Sequence, residues 1–231
     1  MDPQFIQMYP DTWRLEDGGV RFFLLAGKEK ALLIDSGMTV SDPGSLAASL
    51  TSLPVFLLNT HSDMDHVGGN ASFAAFYMHP ADEEGYRRSG KGGRLIPIRD
   101  GDELDLGNRK LKLIHLPGHT PGSMAVLDVK RRVLISGDPI QAHGRIFMFG
   151  QHRNMQDYIM SLKKLEKMTG DFDEIWPSHA DLPLSPDIIG KLREGAESIL
   201  AGKVPGRAET MHGHHIVAYD LGFTVLLCDP T

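Results

Sequence analysis

Short apolar strands arriving in two separate blocks, each followed by helical stretches, restrict this chain to a layered α/β architecture more tightly than any other feature does. The first block reads as strands at residues 5–8, 12–16, 20–26 and 31–34, punctuated by the turn formers Asp17-Gly18-Gly19 and Gly27-Lys28-Glu29. A helix is expected over 44–50, with Ser41 or Asp42 ahead of Pro43 at its cap, then a short apolar strand at 55–58 and a small helical stretch around 70–75. The second block places strands at 110–115, 123–128 and 132–136. Over 154–168, Met155, Ile159, Leu162 and Leu165 recur at three and four with lysines between them, which predicts an amphipathic surface helix ended by Gly170. A strand at 172–176, a helix at 186–200 and edge strands around 207–211, 215–219 and 223–228 complete the expected order. Apolar helix stripes and sheet faces must cover one another, so the pattern implies two sheets face to face with helices outside, an α/β sandwich.

At 231 residues the chain can enclose such a core as one domain, 1–231. A net charge of −6 offers no electrostatic footprint for nucleic acid or anionic lipid, so a small-molecule substrate is expected instead. Cys228 is the only cysteine, which excludes an internal disulfide and a cysteine metal cage. The start MDPQFIQMYPD lacks the basic-then-apolar order of a signal peptide, and no apolar run approaches the roughly 20 residues that cross a bilayer. A cytoplasmic protein with no membrane segment is the expectation.

Directly after the strand at 55–58 comes Asn59-Thr60-His61-Ser62-Asp63-Met64-Asp65-His66-Val67-Gly68-Gly69. If this loop begins extended, His61, Asp63 and Asp65 project to one side, because side-chain direction repeats every two residues, and His66 joins them once the chain turns at the glycines. Imidazole nitrogens and carboxylate oxygens are ligands for zinc, manganese and iron, and catalytic sites keep one position open for water. Taken alone, the same residues also make an ordinary polar loop. Three further strand-exit loops each supply a candidate beside Pro or Gly: His119 in Pro117-Gly118-His119-Thr120-Pro121-Gly122, Asp138 in Ser136-Gly137-Asp138, and His179 in Pro177-Ser178-His179. Their joint order points to a metal centre.

On these residues the chain resembles the metallo-β-lactamase fold superfamily. The family pattern HxHxDH, then His, Asp and His in later loops, reads here as His61, Asp63, Asp65, His66, His119, Asp138 and His179, and the likeness extends back to Leu33-Ile34-Asp35-Ser36-Gly37. The resemblance implies a four-layer αββα sandwich of two mixed β-sheets with two divalent metal ions along one edge, zinc first among them. By it, His61, Asp63 and His119 serve one position, Asp65, His66 and His179 the other, and Asp138 bridges. It also implies a hydrolase in which a bridging hydroxide, oriented by Asp65 or Asp138, attacks an ester-like bond such as a thioester, lactone or phosphodiester. The loop around His119 is similar to those of glyoxalase II-like thioesterases and small lactonases, and an acidic residue in the place of Asp35 supports the ligands from behind.

The departure is Asp63, where the family usually carries histidine. A carboxylate is harder and charged, which shifts preference from zinc toward manganese or iron. Asp63 acting as a base beside a single metal is a second reading of that position. Flavodiiron proteins have a comparable carboxylate, so a di-iron redox protein with a separate electron donor stands as an alternative, and a non-catalytic metal-binding module as another. Thr120 and Ser123 either donate to ligands or cap their own turn. Residues 140–153 read either as a lid bringing Arg145 or Arg153 to an anionic group, or as a segment packed on the core. His212, His214 and His215 fall near the end of the chain and are left out of the site.

Overall fold

The computed structural model describes residues 4–230; Thr231 and the first three residues of the MDPQFIQMYPD start lie outside that range. Strands β1 (Gln4–Tyr9), β2 (Thr12–Asp17), β3 (Val20–Ala26) and β4 (Ala31–Ile34) run as an antiparallel meander. Helix α1 (Pro43–Leu50) follows, its N-terminus capped by Asp42, whose carboxylate accepts from Ser45 N at 2.9 Å. Strand β5 (Val55–Leu58), helix α2 (Met64–Val67), strand β6 (Ala75–Met78), helix α3 (Glu83–Arg88) and strand β7 (Arg94–Pro97) then extend the sheet in parallel, giving seven strands in the order β1 to β7.

The second block holds β8 (Glu103–Asp105), β9 (Lys110–His115), β10 (Met124–Asp128) and β11 (Val133–Gly137). After β12 (Arg145–Met148) and helix α4 (Met155–Glu166), strand β13 (Glu174–Pro177) returns parallel to β11, making a five-stranded sheet ordered β13-β11-β10-β9-β8. Helix α5 (Ile188–Leu200) leads to β14 (Gly206–Met211), β15 (His214–Asp220) and β16 (Val225–Cys228), which pair with β12 in a separate four-stranded ladder, β12-β16-β15-β14.

The layering follows from two-residue alternation along strands buried on both faces. In β3, Phe23 and Leu25 join Leu111, Leu113, Val126 and Trp176 in the core between the two large sheets. Their neighbours Phe22 and Leu24 face the opposite way, onto Ala47 of α1, Val67 of α2 and Tyr86 of α3. Ala125 and Leu127 of β10 likewise turn outward onto Leu162 and Leu165 of α4 and Leu192 of α5. Three cores between four layers make the mixed α/β sandwich that the strand pattern implies, with the tail ladder added against α5.

Where the local structure differs from the expectation, the reason is length or context. The helical stretch expected over 70–75 is one 3-10 turn, Asn70–Ser72, and its last residue already opens β6. Strands β6, β7 and β8 have only 4, 4 and 3 residues, too short for a period to register. Residues 140–153 pack on the core through β12, which pairs with β16 and buries Ile146 and Met148, while residues 149–153 line a cavity shared with Asp63.

At the end of the sandwich away from the β9–β10 loop, Arg109 ties the sheets together. Its side chain is 5% exposed and donates to Asp128 Oδ2 at 2.8 Å, Thr12 Oγ1 at 2.8 Å and the carbonyls of Asp11 and Ala26 at 2.8 and 3.0 Å. Arg109→Leu strands the buried Asp128 carboxylate and is expected to lower stability by about 3–5 kcal/mol in a urea melt. Arg109→Met combined with Asp128→Leu recovers a substantial part, and equal losses in the single and double variants would show that the ion pair is not the tie.

Candidate metal centre

The end of β5 releases Asn59, Thr60 and His61 into the cleft, and Asp63 then takes extended backbone (φ −65°, ψ 149°) as the residue before α2. The two-residue alternation therefore aligns His61 with Asp63 alone; Asp65 and His66 lie on the first turn of α2 and face another way. Gly68 and Gly69 are not needed for the turn itself, since Gly68 has ordinary helical φ of −52°. They are needed because a Cβ there would strike the carbonyls of Gly37 and Met38 and the ring of Pro43. Gly118, at φ +132°, has both constraints, a backbone favouring glycine and the main chain of Tyr158 against it, and it aims His119.

All seven expected residues meet at one edge, as two adjoining groups: His61, Asp63 and His119, and Asp65, His66, Asp138 and His179. In the first, Asp63 Oδ2 lies 3.4 Å from His61 Nε2 and 3.3 Å from His119 Nε2. In the second, Asp65 Oδ2 lies 3.1 Å from His179 Nε2 and 3.6 Å from His66 Nε2. Asp138 spans the two. Its Oδ1 approaches His66 and His179 Nε2 at 3.0 and 3.3 Å, while its Oδ2 lies 3.6 and 4.0 Å from His119 and His61 Nε2.

Each imidazole is oriented from behind through Nδ1. His119 donates to the Phe147 carbonyl and His179 to the Gly19 carbonyl, both at 2.8 Å, and His66 donates to Asp35 Oδ2 at 2.8 Å. The Thr60 hydroxyl gives its one proton to Asp35 Oδ2 at 2.7 Å, so at 3.0 Å it accepts from His61 Nδ1. This leaves Nε2 of every ring facing inward. Nε2 of His61, His66 and His119 and Oδ1 of Asp138 are buried and have no hydrogen-bond partner outside the cluster. Buried polar atoms are almost always partnered, and a convergent set of imidazole and carboxylate acceptors fits a divalent cation.

Charge around the second group is strongly coupled. Burial alone would raise the Asp138 carboxyl, but His66 and His179 hold it well below the usual range. Burial disfavours charge on His179, yet Asp138 and Asp65 push it up to about 10, and His66 is raised well above its ordinary value by Asp138, Asp35 and Asp65.

Residues beyond the motif hold the loops together. Buried Asp82 accepts from Ser62 N at 2.9 Å and Gly122 N at 2.6 Å, joining the His61 and His119 loops, and nothing in its sequence context signals this. Thr120 donates to Asp82 and hydrogen-bonds with Ser123, so these two residues fasten the loop rather than touch a candidate ligand. Arg21 donates to the carbonyls of Pro177, His179 and Ala180 and steadies the His179 loop. Arg145 pairs with Glu209, and Arg153 donates to Asp63 Oδ2 at 2.6 Å, so both arginines expected to await an anion already have partners. His214 lines a larger neighbouring cavity, and the candidate metal groups among the described residues do not include His212, His214 or His215.

A sequence model of the Metallo-beta-lactamase superfamily matches residues 15–179, a span containing all seven groups. The chain belongs to this superfamily. Among metallo-β-lactamase-fold structures, that of a metallo-beta-lactamase from Pontibacter korlensis superposes with a TM-score of 0.72 at 15% identity, over 85% of this chain and 99% of the other. The acyl-coenzyme A thioesterase MBLAC2 of Gallus gallus is 28% identical over 200 residues, 69% of this chain and 72% of that protein. A hydroxyacylglutathione hydrolase of Gloeobacter violaceus is 34% identical over 128 residues, 54% of this chain and 49% of that protein. Among the described residues no helix is long and apolar enough to cross a membrane.

Two outcomes follow from this superfamily geometry. Asp35→Asn removes the charge behind His66 and Thr60 and is expected to weaken zinc binding about 10–100-fold, read by competition with a chromophoric chelator; unchanged affinity would deny Asp35 its supporting role. Ligation requires neutral imidazoles, whereas neighbouring carboxylates raise His66 and push His179 up to about 10, so adding zinc to chelator-treated protein is expected to release protons, measured with an indicator dye in weak buffer. Zinc uptake without proton release would contradict the raised proton affinity of these rings.

Proposed function

We propose that this protein is a binuclear metal-dependent hydrolase that cleaves an ester-like bond of a small molecule, a thioester foremost. The observation that carries the proposal is the double group of inward-facing, unpartnered Nε2 atoms joined by Asp138. His61, Asp63 and His119 would hold one ion, Asp65, His66 and His179 the other, with Asp138 shared, zinc being the expected metal and Asp63 favouring manganese or iron beside it. When bound, such ions ionise water near neutral pH and polarise a carbonyl oxygen.

The chain's own residues supply the rest. A cavity of about 280 Å³ opens over Asp65, Asp138 and His179, is walled by Phe147 and Gln141, and has room for an acyl carbonyl. Asp65, with 29% of its side chain exposed at the mouth, accepts the proton of the attacking water and returns it to the departing thiolate as the carbon–sulfur bond breaks. A second cavity of about 520 Å³, lined by Met64, Arg88, Phe149, His152 and His214, adjoins the first through Asp63 and suits the long carrier of a thioester. The named activities of the two relatives, an acyl-coenzyme A thioesterase and a hydroxyacylglutathione hydrolase, support this choice of bond.

The test is elemental analysis of protein purified without added metal, followed by a panel of thioesters, lactones and phosphodiesters. Two divalent ions per chain and thioester turnover are expected, with turnover abolished in Asp65→Ala and His119→Ala while a cooperative melt persists. Full activity in both variants, or iron with reductant-dependent oxygen consumption and no hydrolysis, would reject the proposal.

A further inference from the structure

The seven groups carry three carboxylates, one more anion than the bridge and the second group supply, and the extra one is Asp63. It has no anchor on its own loop: although it precedes α2, its side chain makes no capping hydrogen bond. Its one hydrogen bond from outside the seven groups comes from Arg153, which lies 90 residues away and donates from Nη2 to Oδ2 at 2.6 Å. That same oxygen faces His61 and His119 Nε2 at 3.4 and 3.3 Å. Among the described residues Asp63 is the only side-chain hydrogen-bond acceptor for Arg153, whose Nε is buried without a partner and whose side chain is 13% exposed.

The position of Arg153 is itself fixed. It lies between β12, which supplies the Phe147 carbonyl to His119, and Asn154, whose backbone N donates to the Gly118 carbonyl at 2.8 Å and whose side chain caps α4. The segment that orients His119 therefore also delivers the guanidinium to Asp63. Each imidazole in the site has a fixed acceptor behind it, and Arg153 is the corresponding fixed donor behind the carboxylate. A long arginine whose next residue is held in place loses less freedom by pointing at one oxygen, and its charge offsets the added anion.

We propose that Arg153 is a positioning residue for the three-ligand group: it holds the Asp63 carboxylate aimed at His61 and His119, and so keeps that position able to bind a divalent ion. The inference rests on the two-ion proposal above. It differs from a role in gripping substrate, which the same side chain, lining the larger cavity, could otherwise have.

The experiment measures zinc stoichiometry by elemental analysis and both zinc affinities by chelator competition at a single pH, for wild type, Arg153→Met and Arg153→Lys, and for Arg153→Met in an Asp63→His background. Arg153→Met should leave one zinc bound as in wild type and weaken the other about 10–100-fold, the usual cost of losing a partner behind a ligand. Arg153→Lys, which restores charge but not the planar fork, should recover part of that loss, and in the Asp63→His background the Arg153→Met change should cost less than about threefold because no carboxylate remains to be held. Arg153→Gln provides the same comparison if the methionine variant fails to melt cooperatively. Unchanged or tighter binding of both ions in Arg153→Met overturns the inference, as does an equal loss in the Asp63→His background or a raised KM with both affinities intact. A wild-type protein that binds no divalent ion overturns the two-ion proposal itself, and is distinguished from the other outcomes before any variant is compared.

Discussion

Imidazole Nε2 atoms turned inward, because every outward ring nitrogen is already donating, are the constraint on which the rest of this molecule depends. A buried polar atom without a partner is costly, and here three ring nitrogens and a carboxylate oxygen share one small volume. Such an arrangement persists only if the surroundings over-determine it. Thr60, Asp35, Gly19 and Phe147 do so, and they come from four different stretches of chain. The scaffold must bring those stretches to one edge and keep them there.

The sandwich meets that demand by giving each large sheet a share of the centre. The seven-stranded sheet contributes the exit of β5 and helix α2, and the five-stranded sheet contributes the β9–β10 loop and the exits of β11 and β13. Sliding one sheet over the other would separate His61 from His119 and His66 from His179. The shared core around Phe23, Leu113 and Trp176 opposes that movement, as do Asp82 across the two ligand loops and Arg109 at the far end. Close packing makes such a core resist small displacements, so the edge that carries the seven groups inherits its geometry from apolar residues distant from it.

Much of this was legible in advance, for reasons that differ by element. Long strands such as β3 and the amphipathic α4 announce themselves through sustained periods, and the metal-capable residues stand out because they cluster at strand exits beside Gly and Pro. Strands β6 to β8 are too short to carry a period, and β12, with its Arg-Ile-Phe-Met sequence, resembles a loop until β16 lies beside it. Within the motif, alternation placed Asp65 with His61 and Asp63, whereas the start of α2 turns it toward His179. Asp82 and Arg21 gave no local sign of their roles, and Arg153 stood out only as an arginine for some anionic group, since each acts on residues far along the chain.

The amino-acid sequence by itself determined the layered class, the exclusion of an internal disulfide and the seven side chains able to ligate, because those depend on residue type and on periods only a few residues long. The superfamily resemblance already implied how the seven divide and that Asp138 spans them; tertiary structure alone decided which groups stand behind the ligands, Gly19 behind His179 and Arg153 behind Asp63 among them. Those outcomes depend on distances between residues as much as 160 positions apart, as in the hydrogen bond from His179 to Gly19, and no pattern within a strand or helix contains them.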